Sequence, residues 1–180
     1  MNNPSRSAAQ RGITLIEAAI VLAITAIVAT SAAPSLQRVI DARRLEGAAT
    51  QLAADIQFIR SAAVARNEAL RLSFHATTDG SCYVIHTGTA DQCSCAAPGP
   101  AQCSGGAQQI RTATLTAADR VSLQANAGSM LFDPLHGTSS PTATLRLTGP
   151  NDRAIHHVVN IMGRVRTCSP QAAVPGYRAC

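Results

Sequence analysis

Residues 13–33 read ITLIEAAIVLAITAIVATSAA, an apolar run of 21 residues that carries one charge, Glu17. Coiled into a helix, such a run is about 30 Å long, the thickness of a bilayer's hydrocarbon core. A polar leader, residues 1–12, precedes it with Arg6 and Arg11 and ends in Gly12; Pro34 follows it. The run fits a plain membrane anchor. It fits a secretory signal peptide, with arginine in the n-region and a small-residue cleavage site such as Ser31-Ala32-Ala33. It also fits a chain cut at the Gly12–Ile13 bond, whose helix stays on the mature protein. Glu17 bears on the choice. A carboxylate at the centre of a membrane helix costs roughly 2.5–3.5 kcal/mol, less near its end, so such a group usually has a partner. Cleavage after Gly12 would leave Ile13 with a free α-amino group four residues before Glu17. An amine there, on the same chain or on a packed neighbour, can pair with the carboxylate. The other two readings leave the glutamate unexplained.

After Pro34 the chain reads as one domain, residues 35–180. Residues 35–67 keep a helical period: Leu52, Ile56, Ile59 and Ala63 recur at steps of three and four, with Leu36, Ile40 and Leu45 extending the stripe upstream. This amphipathic stripe is expected to pack on a sheet. From residue 69 the period becomes two. Leu70–Phe74, Tyr83–Ile85, Ile110–Leu115, Val121–Leu123, Met130–Phe132, Thr142–Thr148, Ala154–Ile161 and Arg164–Arg166 read as short strands, parted by turn signals such as Gly149-Pro150-Asn151-Asp152. Residues 87–108, rich in Gly, Pro, Ser, Ala and Cys, read as a long stapled loop. A long N-terminal hydrophobic α-helix packed on an antiparallel β-sheet domain, residues 69–180, is an α+β arrangement.

Composition narrows the chemistry. Of 180 residues 46% are apolar and 14% charged, which speaks against a disordered chain. Aromatic residues make up 3%, with no Trp, so an aromatic-lined pocket or base-stacking surface is disfavoured. All 15 basic residues are Arg, which excludes lysine chemistry. The net charge of +5 is uneven: residues 35–110 balance to zero, whereas residues 111–180 hold seven Arg against three acids. A concentrated positive field suits an anionic partner. His75, His86, His136, His156 and His157 are scattered and form no recognisable nucleophile–base–orienter set, so no catalytic residue and no cofactor are assigned. Adjacent His156 and His157 point to opposite faces of a strand, which argues against a shared metal. Cys82, Cys93, Cys95, Cys103, Cys168 and Cys180 behind a membrane segment suggest disulfides in an oxidising compartment. Six cysteines allow 15 pairings. Cys168–Cys180 is the natural C-terminal pair, and the other four would staple the loop. The rival reading, zinc held by Cys93, Cys95, Cys103 and His86, lacks a standard zinc spacing, and no metal is assigned.

Arg11-Gly12 followed by Ile13-Thr14-Leu15-Ile16-Glu17 and an unbroken apolar helix resembles the class III leader of type IV pilins and pseudopilins. Arg60–Asn67, and Leu131-Phe132-Asp133-Pro134 followed by Gly137, are similar to the FimT/GspH (FimU-like) branch of minor pilins. The resemblance implies that a prepilin peptidase cuts between Gly12 and Ile13 and methylates the Ile13 amine. It implies that Glu17 serves assembly and that residues 13–34 form a transmembrane and filament-core helix. The implied location is the inner membrane, as a single-pass protein with a periplasmic C-terminal domain, and then the pilus at the cell surface among major and minor pilins. The family's first mature residue is more often Phe; here it is Ile13.

Gly163-Arg164-Val165-Arg166 is the sharpest signal downstream. Residues two apart in a strand face the same side, so Arg164 and Arg166 would present two guanidinium forks together, a match for phosphate oxygens. Gly163 permits close backbone approach or positive φ. Arg146, Arg153 and Arg178, with His156 and His157, would widen the patch. The motif resembles the G-R-x-R pattern of DNA-binding FimT-type minor pilins. That resemblance implies sequence-independent binding to the phosphate backbone of double-stranded DNA and a role in natural transformation. The alternative is a structural minor pilin or type II secretion pseudopilin that primes or caps the filament without binding DNA, its arginines being solvated or bridged to neighbouring subunits.

Overall fold

The computed structural model describes residues 14–95 and 99–180; the expected cleavage point, Gly12–Ile13, lies outside them. One helix, α1, runs Leu15–Arg66. Thr14 caps it: its Oγ1 accepts the Glu17 N–H at 3.3 Å. The chain divides after Val39 into two units. In the first, the helix is apolar on every side. Its large side chains, from Leu15 through Val28 to Val39, stand exposed, and it is long and apolar enough to cross a membrane.

The second unit, residues 40–180, is built on the amphipathic part of α1. Leu45, Ala49, Leu52, Ile56, Ile59 and Ala63 are buried, the stripe read from the three- and four-residue steps. Of the expected upstream extension Leu45 is buried, whereas Leu36 and Ile40 are exposed, because burial begins at Asp41. Asp41 is sheltered there by an ion pair to Arg120 at 3.1 Å.

Among the described residues eleven strands follow: β1 Leu70–Thr77, β2 Gly80–Thr87, β3 Cys93–Ser94, β4 Gln102–Cys103, β5 Gln109–Thr116, β6 Ser122–Ala125, β7 Ser129–Phe132, β8 Ser139–Ser140, β9 Ala143–Thr148, β10 Ala154–Val159 and β11 Val165–Cys168. The expected antiparallel β-sheet domain is present, divided into two main sheets. Five strands lie in the order β5-β2-β1-β7-β8 and four in the order β11-β10-β9-β6, all paired antiparallel. The inner faces of both sheets, with Leu72, Ile85 and Phe132 from one and Leu145, Leu147 and Ile155 from the other, share a single core with the helix stripe. The stapled loop contains the small β3–β4 hairpin, fastened by Cys82–Cys95 and Cys93–Cys103, and Cys168–Cys180 closes the C-terminal segment. The three cysteines of the zinc reading are thus bonded to other cysteines.

Buried polar groups also tie the helix to each sheet. Fully buried Asp55 accepts hydrogen bonds from the Tyr83 hydroxyl (2.7 Å) and Gln51 Nε2 (3.1 Å), and pairs with Arg111, whose guanidinium lies 4.5 Å from the Phe58 ring centre. Burial first, and the Asp55 contact second, push the Tyr83 hydroxyl's pKa far above its ordinary value. On the other sheet, the buried His157 imidazole bonds the Ala49 carbonyl (2.8 Å) and the Thr167 hydroxyl (2.9 Å).

Candidate nucleic-acid interface

The four-stranded sheet turns one face to the core and the other to solvent, and alternation sorts its residues. On β10, Ile155, His157 and Val159 are buried, while His156 and Val158 lie on the outer side. On β9, Leu145 and Leu147 are buried, and Arg146 between them is exposed. Register then assembles the outer face. Arg166 sits opposite Val158, which sits opposite Thr144. In the next row Cys168, His156, Arg146 and Gln124 stand side by side across four strands. Strand and row spacings put the Cα atoms of Arg166 and Arg146 about 12 Å apart on one surface.

Gly163 and Arg164 are placed by the β10–β11 turn. The Gly163 N–H donates to the Asn160 carbonyl at 2.8 Å, and the Asn160 N–H donates to the Arg164 carbonyl at 3.1 Å. This is a three-residue hairpin loop with Gly163 in the left-handed region at φ +68°. A Cβ on Gly163 would lie 2.9 Å from the Gly137 carbonyl and 3.0 Å from Arg60 Cδ. The glycine is therefore demanded twice, by positive φ and by close packing. Arg164, expected within the strand, instead leaves the turn just ahead of β11, with its N–H held by Asn160 Oδ1 at 3.0 Å. Val165 packs against the core, while Arg164 and Arg166 on either side of it are exposed.

The remaining candidates are more dispersed. Arg178 is exposed on the C-terminal segment, which the Ser169–Arg178 and Cys180–Ser169 backbone bonds and the Cys168–Cys180 disulfide hold beside the end of β11. Arg153 is half-buried and precedes β10, at the far end of that strand from Arg164, so the fold does not bring it into the Arg164–Arg166 pair. His156 carries little charge at neutral pH, because burial first and Arg146 second hold its pKa below the ordinary 6.5. His157 faces the core and leaves the patch altogether.

The arginines differ by location. Arg44, Arg60, Arg71, Arg111 and Arg120 each bond a carbonyl, a hydroxyl or a carboxylate. Two of these, Arg111 and Arg120, belong to the basic segment of the sequence but are paired with helix acids. Among the described residues the side chains of Arg146, Arg153, Arg164, Arg166 and Arg178 make no hydrogen bond or ion pair. The acids of this half are partly occupied. Asp119 closes a turn through Thr116 N–H at 2.7 Å, and Asp133 accepts Leu135 and His136 N–H. Those bonds hold both carboxyls below their ordinary pKa.

Sequence reading did not find the Ser73–His86 pair. His86 Nδ1–H donates to the Thr87 carbonyl, so Nε2 accepts from Ser73 Oγ–H at 2.8 Å. Both residues are buried, which makes the pair a tie between β1 and β2. Neighbouring register positions, Ser73 with Val84 and Arg71 with His86, are the only signal for it and require the fold.

Comparison with known proteins gives the family. Residues 48–163 match the model of the type II transport protein GspH. The chain belongs to the GspH family. Residues 7–33 of this GspH-family protein match the prokaryotic N-terminal methylation motif, in the region singled out by its apolar run. No functionally curated protein matches the chain by sequence. Two crystal forms of the type IV minor pilin FimU from Pseudomonas aeruginosa strain PAO1 share its fold. One has a TM-score of 0.52 at 20% identity, covering 75% of this chain and 95% of FimU. The other has a TM-score of 0.50 at 20% identity, covering 74% and 98%. The architecture, one long helix on antiparallel sheets, is that of a pilin-like protein.

Proposed function

We propose that this GspH-family protein is a minor type IV pilin that binds double-stranded DNA without sequence preference and supports DNA uptake in natural transformation. One observation carries the reading: the unpaired, exposed arginines Arg146, Arg164, Arg166 and Arg178 converge on and around one sheet face, whereas arginines elsewhere in the second unit are largely occupied by protein acceptors. A guanidinium with no protein partner, standing near others of its kind, suits phosphate oxygens spaced along a nucleic-acid backbone. The contacts lie on the backbone, so affinity rather than sequence choice is their product. Arg153, half-buried, contributes less. In this account a prepilin peptidase cuts between Gly12 and Ile13 and methylates Ile13. The helix of residues 13–34 holds the protein in the inner membrane with the C-terminal domain outside the cytoplasm. Glu17 then pairs with an N-terminal amine as the subunit joins other pilins in the filament. Thr14 and Glu17 also stand at the N-cap and N3 positions, where an acid favours the helix start.

A filament-priming subunit of a pilus or secretion system that never touches DNA is the second reading. The apolar surface of the first unit, which needs partners of its own kind, favours it. Titration of the full chain in detergent micelles with a random-sequence duplex separates the two. The proposal expects micromolar, salt-sensitive retardation that Arg164→Ala with Arg166→Ala weakens at unchanged thermal stability. Loss of pili or secretion on deletion, with no retardation of DNA, would establish the second reading instead.

A further inference from the structure

The tip of the β10–β11 turn is occupied by Ile161 and Met162, which are 62% and 47% exposed. Hairpin tips ordinarily carry Gly, Pro, Asn, Asp or Ser, because such residues suit the backbone there and lose nothing by facing water. Neither Ile161 nor Met162 has a positive φ, and Gly163 alone meets the turn's conformational demand. Folding thus gives no reason for two large apolar side chains at this point. The turn that presents them is fixed rather than slack. Its backbone is closed at Asn160–Gly163, its Asn160 Oδ1 holds Arg164, and the neighbouring turn grips it through Ser139 N–H to Ile161 carbonyl (2.8 Å) and Ser139 Oγ–H to Asn160 carbonyl (2.7 Å). Immediately beyond this apolar tip come the exposed Arg164 and Arg166. Leu135, 74% exposed, is on the neighbouring turn, whose acid Asp133 is occupied by its own turn's N–H groups.

We propose that Ile161 and Met162 form an apolar wedge that enters the minor groove of a DNA duplex and partly unstacks one base step, while Arg164 and Arg166 clamp the flanking phosphates. This inference rests on the DNA-binding reading above and adds the groove, the mode and the bend. Charge complementarity selects the occupant: an apolar tip rimmed by unpaired guanidinium groups suits a polyanion with an apolar stack inside it. Side chains such as Ile, Leu and Met, inserted from the minor groove, kink duplexes by about 20–90° toward the major groove. The kink falls preferentially at pyrimidine–purine steps, which unstack most easily. A GspH-family protein of this design would bend the duplex at its contact point.

The test uses the full chain in detergent micelles and a 30-bp duplex (about three turns) labelled at both ends with a fluorescence-transfer pair. Wild-type protein is expected to raise transfer efficiency on binding, more for a duplex with a central TA step than for one with a central A-tract. Ile161→Ser with Met162→Ser, both at exposed positions, is expected to abolish the rise and weaken binding by on the order of tenfold. Ile161→Leu is expected to keep both. Arg164→Ala with Arg166→Ala is expected to lose binding in proportion on every duplex. Binding without any change in transfer, or an Ile161→Ser/Met162→Ser variant that bends DNA as wild type does, would overturn the wedge and leave the DNA-binding reading standing. A change confined to self-association of that variant would also overturn it, assigning the tip to a neighbouring subunit. Absence of wild-type binding on all duplexes would overturn both.

Discussion

At the residue scale, histidine ties the molecule to pH. His86 and His157 are enclosed, and burial is the largest cause holding each below the ordinary value of 6.5. The unfolded chain, with ordinary imidazoles, therefore takes up protons first as pH falls through about 6.5. Protonation then favours the unfolded state. Stability is full above that pH and is lost progressively below it, until the lower folded-state pKa values are reached. Urea unfolding of the full chain in detergent at pH 7.5 and pH 5.5 should show a lower midpoint at the acid pH. In His157→Gln, whose amide can still donate to the Ala49 carbonyl, the acid loss should be smaller. An equal loss in both proteins would remove His157 from the account. Other single residues carry structure that periodicity does not announce. Asp55, next to Ile56 of the helix stripe, is the buried centre of the contact with Tyr83 and Arg111. Removing the Tyr83 hydroxyl there would leave part of a buried carboxylate unsatisfied, which typically costs about 1–3 kcal/mol.

At the scale of elements, the strand runs and the helix stripe were legible because both follow from side-chain alternation, and alternation is a local property. Leu52, Ile56, Ile59 and Ala63 are buried as their spacing implies. The G-R-V-R segment was legible as a chemical motif, and Arg164 and Arg166 both reach solvent. What local pattern does not encode is pairing. The division into two sheets and the Asp41–Arg120 and Asp55–Arg111 bridges depend on contacts distant in sequence. The turn at Gly163 is where local and distant demands meet. A Gly163→Ala substitution imposes a strained φ and a contact with the Gly137 carbonyl. It should lower stability by about 1–3 kcal/mol. It should also weaken DNA binding by displacing Arg164, although no charge is removed. Denaturant titration beside a DNA titration checks both halves; an Ala variant equal to wild type in the two would show that the turn does not position the arginine.

At the scale of the whole molecule, two surfaces are left without partners in a single chain. The helical surface of the first unit is apolar and long enough to cross a bilayer, which matches the methylation motif over residues 7–33. The outer face of the four-stranded sheet carries Arg146 and Arg166, with Arg164 in the turn ahead of β11 and Arg178 on the C-terminal segment, all four exposed. On the proposed function, the first surface serves lipid or sister helices and the second an anion. The claim that most needs testing is that the sheet face meets phosphates through these side chains. Counterion release measures that count directly: log affinity falls against log salt with a slope of about −0.9 for each phosphate neutralised on duplex DNA. With Arg146, Arg164, Arg166 and Arg178 engaged, full-length protein should give a slope of about −3.6, and Arg164→Ala with Arg166→Ala about −1.8. A slope near zero, or one that the double substitution leaves unchanged, would contradict the account.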